Sequence, residues 1–174
     1  HSDRLAGPIK RKKPTIYFVN SLSDIFHEDV PWAFVNSIYD TMEATPRHIF
    51  QVLTKRPERM REFLDWRYSY VTPAPSHIWH GVSVENQHFA EERIPLLLAA
   101  RSAVRFLSCE PLLGPLNLYS FLHVETSGSS GDWRDRRLGW VIVGAESGPR
   151  VRPTDPAWVR SLRDQCVSVG VPFF

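Results

Sequence analysis

Short apolar runs alternate along this chain with segments whose apolar residues recur every three or four positions. The runs occupy residues 16–19, 48–53, 78–84, 104–107, 140–143 and 171–174. Continuous apolar stretches of this length, closed by turn residues, are the mark of strands buried on both faces. Between the first two runs, Val35, Ile38, Tyr39 and Met42 fall at i, i+3, i+4 and i+7, one face of a helix. Pro31 suits that helix's first turn and Pro46 its exit, because proline lacks an N–H and disfavours helix in the residue before it. Pro57 and Glu58 open a second helix with Met60, Phe63 and Leu64 on one side. A third begins near Asn86, and Pro95 is expected to break or kink it. Asp155 as N-cap and Pro156 in the first turn start a fourth, with Val159, Leu162 and Cys166 sharing a face.

Alternating strand and helix means βαβ units, parallel strands and right-handed crossovers, so the fold class is α/β. Two architectures satisfy the pattern, a barrel or part-barrel and an open doubly wound sheet. Neither G-x-G-x-x-G nor G-x-x-x-x-G-K-[ST] occurs, which removes the usual fingerprint of phosphate-binding open sheets. A chain of 174 residues holds one such domain. We place it at residues 14–174, behind a basic arm at 1–13. A loop insertion is expected around 111–138, where Pro111, Pro115 and Gly128-Ser129-Ser130-Gly131 interrupt any periodicity. The chain starts on His1 and stops inside its last apolar run, and so reads as a piece of a longer polypeptide.

The formal charge of +2 is unevenly spread, because residues 1–13 carry five Lys/Arg against one Asp. Lys10, Arg11, Lys12 and Lys13 would attract polyanions by counterion release, or would simply form a solvated arm. No apolar run approaches the ~18 residues of a membrane span, and no signal peptide is visible. The two cysteines, Cys109 and Cys166, are too few and too far apart for a disulfide framework, which favours a reducing, cytoplasmic setting.

Candidate chemistry lies where the apolar runs end. Asn20, Ser21, Ser23 and Asp24 follow the first run, Thr54-Lys55-Arg56 the second, Glu85-Asn86 the third, Ser108-Cys109-Glu110 the fourth and Glu146-Ser147 the fifth. In parallel α/β folds these carboxyl ends share one face, where ligands collect. A pocket there would crowd Asp24, Glu85, Glu110 and Glu146, each raising the others' pKa unless Lys55, Arg56, a metal or a ligand amine partners them. The competing reading has each carboxylate capping a helix or pairing with a nearby arginine. His77 and His80, three apart on a strand, point to opposite sides and should not chelate one metal. Nothing has zinc spacing, and no metal site is assigned. Cys109 reads as a buried small hydrophobe. Trp133, among Asp132, Arg134, Asp135, Arg136 and Arg137, could pack on a nucleotide or an arginine.

Taken together, Phe18-Val19-Asn20-Ser21-Leu22-Ser23-Asp24, Leu53-Thr54-Lys55-Arg56-Pro57-Glu58-Arg59, Gly81-Val82-Ser83-Val84-Glu85-Asn86, 105–115 (RFLSCEPLLGP) and 140–149 (WVIVGAESGP) resemble a family of uncharacterised proteins of phages, prophages and bacterial chromosomes. The resemblance runs from Tyr17 to Phe174. Longer relatives look like radical S-adenosylmethionine enzymes, with a three-cysteine cluster for a [4Fe–4S] centre after a first barrel strand. The resemblance therefore implies a TIM-like (βα) part-barrel of about six strands with that first strand missing here. It further implies that Asn20, Ser21, Ser23 and Asp24 lie nearest the amino-acid end of S-adenosylmethionine, with Ser83, Asn86, Ser147, Glu85 and Glu146 around the rim. Both cofactors are implied for the longer relatives only, since two distant cysteines cannot hold a cluster.

Two functions follow as expectations. In the first, the chain is the core of a radical-S-adenosylmethionine-like enzyme of unknown substrate, inactive in radical chemistry as it stands. Asp24, Glu85, Glu110 and Glu146 would position polar groups, and Lys55 with Arg56 would hold an anionic part of the substrate. In the second, a barrel-derived scaffold without catalytic activity binds nucleic acid or a partner through Lys10, Arg11, Lys12, Lys13, Arg134, Arg136 and Arg137, helped by Arg150 and Arg152.

Overall fold

The computed structural model describes residues 5–20, 22–69, 72, 74–123 and 136–174. In chain order its elements are α1 (Ala6–Lys10), β1 (Ile16–Val19), α2 (Trp32–Glu43), β2 (Ile49–Thr54), α3 (Pro57–Arg67) and β3 (Ile78–Ser83). There follow α4 (Gln87–Ala99), β4 (Val104–Cys109), α5 (Tyr119–Leu122), β5 (Trp140–Val143) and α6 (Pro156–Ser168). The five strands form one all-parallel sheet in the order β1-β2-β3-β4-β5. Right-handed crossovers that always step the same way put every connecting helix on the same face. That order decides between the two architectures: the sheet is singly wound and curls into a half-barrel, helices outside.

Residue 171–174, expected as a sixth strand, runs beside β5 as a single parallel bridge, Val141 to Phe173. Val141 N–H donates to the Pro172 carbonyl at 3.0 Å, Phe174 N–H to Val141 at 3.0 Å and Val143 N–H to Phe174 at 2.8 Å. Pro172 faces β5 without an N–H to offer, which shortens the ladder.

Strand register sorts the side chains. Val52, His80 and Arg105 are in register across β2, β3 and β4, and all turn outward to the helices. Arg105 donates to the carbonyls of Leu97 (3.1 Å) and Ala100 (2.7 Å), closing the C-terminus of α4 from inside the core. His80 sits between Tyr39 Oη, 2.8 Å from Nε2, and Ser102 Oγ, 2.7 Å from Nδ1. Ser102 donates its own proton to the Val104 carbonyl, so it accepts from Nδ1–H, and Nε2 accepts from Tyr39. Burial first, then the charge of Arg105, lowers the His80 pKa to about 3, which keeps this ring neutral.

The opposite face is the barrel interior. Leu53, Gly81, Phe106 and Trp140 form one of its layers. A Cβ on Gly81 would stand 2.5 Å from the Phe106 ring, so the missing side chain is what lets Phe106 lie across the sheet. Trp140 meets Phe106 at 6.3 Å and Trp79 edge-on at 6.2 Å between ring centroids.

One helix runs on where a break or kink was expected, and one is added to the sequence reading. α4 runs through Pro95 rather than breaking there. Pro95 is exposed while Ile94, Leu97 and Leu98 are buried on either side of it, and that burial outweighs the ~3 kcal/mol a mid-helix proline costs. Within the segment read as a basic arm, residues 6–10 form α1, which lies against α2. Arg47 donates to the carbonyls of Pro8 (2.8 Å), Ile9 (2.9 Å) and Arg11 (2.9 Å), and His48 Nε2 lies 3.0 Å from the Pro8 carbonyl. The backbone is thus pinned while Lys10, Arg11, Lys12 and Lys13 stay exposed.

Candidate functional site

Strand alternation continues past the strand ends and places Lys55, Ser83, Glu85, Ser108, Glu110 and Gly144 at adjoining positions on the carboxyl rim of β2 to β5. Ser83 and Ser108 are direct register partners. Lys55 Nζ reaches Glu85 Oε1 at 2.5 Å, and Arg93 Nη1, from α4, reaches Glu85 Oε2 at 3.0 Å and the Ser83 carbonyl at 2.8 Å. The Arg93 guanidinium lies 3.9 Å from the centre of the Phe89 ring. Burial pushes the Glu85 pKa up, but the hydrogen bond from Lys55 and the charges of Lys55 and Arg93 outweigh it, and the net shift is downward. Glu85 is therefore ionised and doubly paired.

Glu110 differs. It is exposed, and among the described residues its carboxylate has one partner, the Ser108 hydroxyl, which donates at 2.9 Å. A Cβ on Gly144 would come within 2.5 Å of Glu110 Oε1, so the bare backbone of β5 gives this side chain its place. Leu112 N–H donates to the Gly144 carbonyl (2.9 Å) and Leu113 N–H to the Glu85 carbonyl (2.8 Å), tying the following loop across the rim.

The other predicted residues are placed as follows. Asp24 accepts from the Thr54 hydroxyl (2.8 Å), from the backbone N–H groups of Phe26 (2.9 Å) and Lys55 (3.0 Å), and from Arg56 Nη1 (3.1 Å). It locks the β1 loop to the end of β2. Glu146 forms a two-pronged pair with Arg152, at 2.8 and 2.9 Å, and also accepts the Arg152 backbone N–H at 2.8 Å. These hydrogen bonds, side chain first, lower the Glu146 pKa to about 2. Asn86 caps α4, accepting from Phe89 N–H at 3.2 Å. Asn20 (φ 58°), Ser23 and Ser147 are exposed on the loops after β1 and β5. Arg136 and Arg137 are exposed. Ser21, Trp133 and Arg134 lie outside the described residues. Lys55, Glu85 and Glu110 thus share a rim with Ser83 and Ser108, whereas Asp24 and Glu146 are each held by a local arginine. Arg93, buried on a helix, was missed by a reading that looked only at strand ends; its spacing of eight residues from Glu85 was the available signal.

Cys109 and Cys166 are both fully buried, and burial raises both thiols, Cys166 to about 11. No group of three His, Cys, Asp or Glu residues among the described ones could hold a metal ion. His77 accompanies the Met42 carbonyl at 3.0 Å, far in role from His80. No described helix is long and apolar enough to cross a membrane.

Curled parallel sheet, outer helices and a polar carboxyl rim define a (βα) half-barrel protein. The chain belongs to the family described as "Protein of unknown function (DUF5131)", whose model matches residues 1–174. No curated protein and no solved structure matches it.

Proposed function

We propose that this chain is the substrate-binding core of a half-barrel enzyme of the radical-S-adenosylmethionine type, with its ligand site on the carboxyl rim of β2 to β5. The observation that supports this reading is the carboxylate of Glu110, which among the described residues is met by the Ser108 hydroxyl alone, beside the Lys55–Glu85–Arg93 triad. A carboxylate in that setting accepts hydrogen bonds from an ammonium or amine, and charge-assisted bonds of this kind are about twice as strong as neutral ones. The triad fixes Lys55 so that its remaining donors meet an anionic group of the same ligand. S-adenosylmethionine offers both groups at its amino-acid end; its sulfonium would supply the reactive carbon when bound.

An iron–sulfur cluster does not fit the residues present. Both thiols are core residues with raised pKa, and cluster iron needs at least three converging thiolates where this chain has two cysteines. Titration calorimetry with S-adenosylmethionine and S-adenosylhomocysteine tests the reading. Binding should weaken about tenfold or more in Glu110→Gln, the loss of one charge-assisted bond. No binding to the wild type, or equal binding to the variant, would overturn it.

A further inference from the structure

The concave face of the sheet carries a second polar position, deeper than the rim. Gln51 lies two residues before Leu53 on β2, and Trp79 lies two before Gly81 on β3. The two are register partners, so both face the barrel axis one layer beneath Leu53, Gly81, Phe106 and Trp140. Gln51 is 8% exposed, yet its carboxamide has no hydrogen-bond partner among the described residues, and neither amide atom is shut off from solvent. Buried carboxamides are normally paired, because an unmet donor or acceptor destabilises the fold. The rings beside it are fixed in place. Trp79 Nε1–H donates to the Ser76 carbonyl at 3.1 Å, and the Trp79 ring meets Trp140 edge-on at 6.2 Å. Both indoles are half-buried. Gln51 and Trp79 stand on middle strands, and a strand added beyond β1 would lie two strand spacings, ~10 Å, from β2. It would leave both residues facing the axis.

We propose that this floor holds the base of a nucleobase-bearing substrate, with Gln51 paired to the base edge and Trp79 and Trp140 against the ring. An unpaired carboxamide complements a group that presents a donor beside an acceptor in one plane. Oε1 accepts the ligand N–H while Nε2–H donates to its carbonyl or ring nitrogen, the pairing Gln makes with bases elsewhere. A trans peptide holds its N–H and C=O on opposite sides and cannot make both bonds at once. An aliphatic chain leaves the amide unmet, and sugar hydroxyls do not fix a donor and an acceptor in one plane. Indole side chains add ring contact that any base can use. Gln51 lies four residues before Lys55, ~13 Å at strand rise, so the remainder of the substrate points from the floor to the rim. The proposal names a substrate class for the half-barrel enzyme and rests on that reading for the reaction, not for the binding.

Titration calorimetry with uridine and guanosine tests this. At least one should bind, and its N-methylated form, 3-methyluridine or 1-methylguanosine, should bind about tenfold or more weakly, because the methyl replaces the N–H that Gln51 accepts. Gln51→Leu should weaken the nucleoside about tenfold or more and at the same time raise the urea midpoint, since it removes an unpaired buried amide. If that variant fails to fold by circular dichroism, Trp140→Leu reads the ring contact and should weaken binding about tenfold. A short oligouridylate beside uridine separates the two sources of a base. Tighter binding of the oligomer assigns it to a nucleic-acid strand, and equal or weaker binding assigns it to a free nucleoside. The proposal is overturned if neither nucleoside binds, if the N-methylated form binds equally, or if Gln51→Leu lowers the midpoint and leaves binding unchanged. Neither nucleoside has an amino-acid end or shares its base with S-adenosylmethionine, so this test and that of the rim fail or succeed separately.

Discussion

Gly81 illustrates how one absent side chain organises the interior. The Phe106 ring fills the space a Cβ would take, and it carries Trp140 and through it Trp79. Gly81→Ala should therefore cost about 1–3 kcal/mol, the usual range for overpacking a filled core. Urea denaturation checks this, and the double variant Gly81→Ala with Phe106→Leu should recover part of the loss. Residue-scale chemistry was only half legible beforehand. Lys55, Glu85 and Glu110 were visible as polar residues after apolar runs, because strand alternation projects them onto the rim. For Asp24 and Glu146 the competing reading, pairing with a nearby arginine, is the one that holds; sequence could not choose it, since Arg56 and Arg152 meet them through loop geometry that carries no periodicity.

At the scale of elements, periodicity located β1 and β5 at the bounds observed and the start of α6 at its Asp155 cap, and the face Val35, Ile38, Tyr39 and Met42 of α2 is buried throughout. α1 escaped because five residues give too little pattern to read. α4 shows local propensity losing to packing. Its proline removes one helical hydrogen bond and contributes no burial, so Pro95→Ala should raise stability by about 1–2 kcal/mol. A shift of the urea midpoint at unchanged m-value would confirm it; a lower midpoint would mean that Pro95 supports α4 in a way burial does not reveal.

For the whole molecule, acid sensitivity has a specific origin. His80 takes up its proton near pH 3 when folded and near 6.5 when unfolded, so between these values the unfolded chain binds more protons. Stability is complete above about pH 6.5 and falls by up to ~1.4 kcal/mol per pH unit below it. Glu85, its pKa lowered by its partners, adds a loss in the same direction at lower pH. Urea titrations at pH 7, 6 and 5 should show a steeper decline for the wild type than for His80→Gln. Parallel slopes would mean that the buried ring is not the group responsible.

The strand order has one more implication. Because every strand is hydrogen-bonded to its sequence neighbour, the architecture is a stack of like units laid down in succession, and no unit must wait for a distant one to take its place. Such a body can lengthen or shorten at either flank by whole repeats without rewiring what remains, the way a solenoid does.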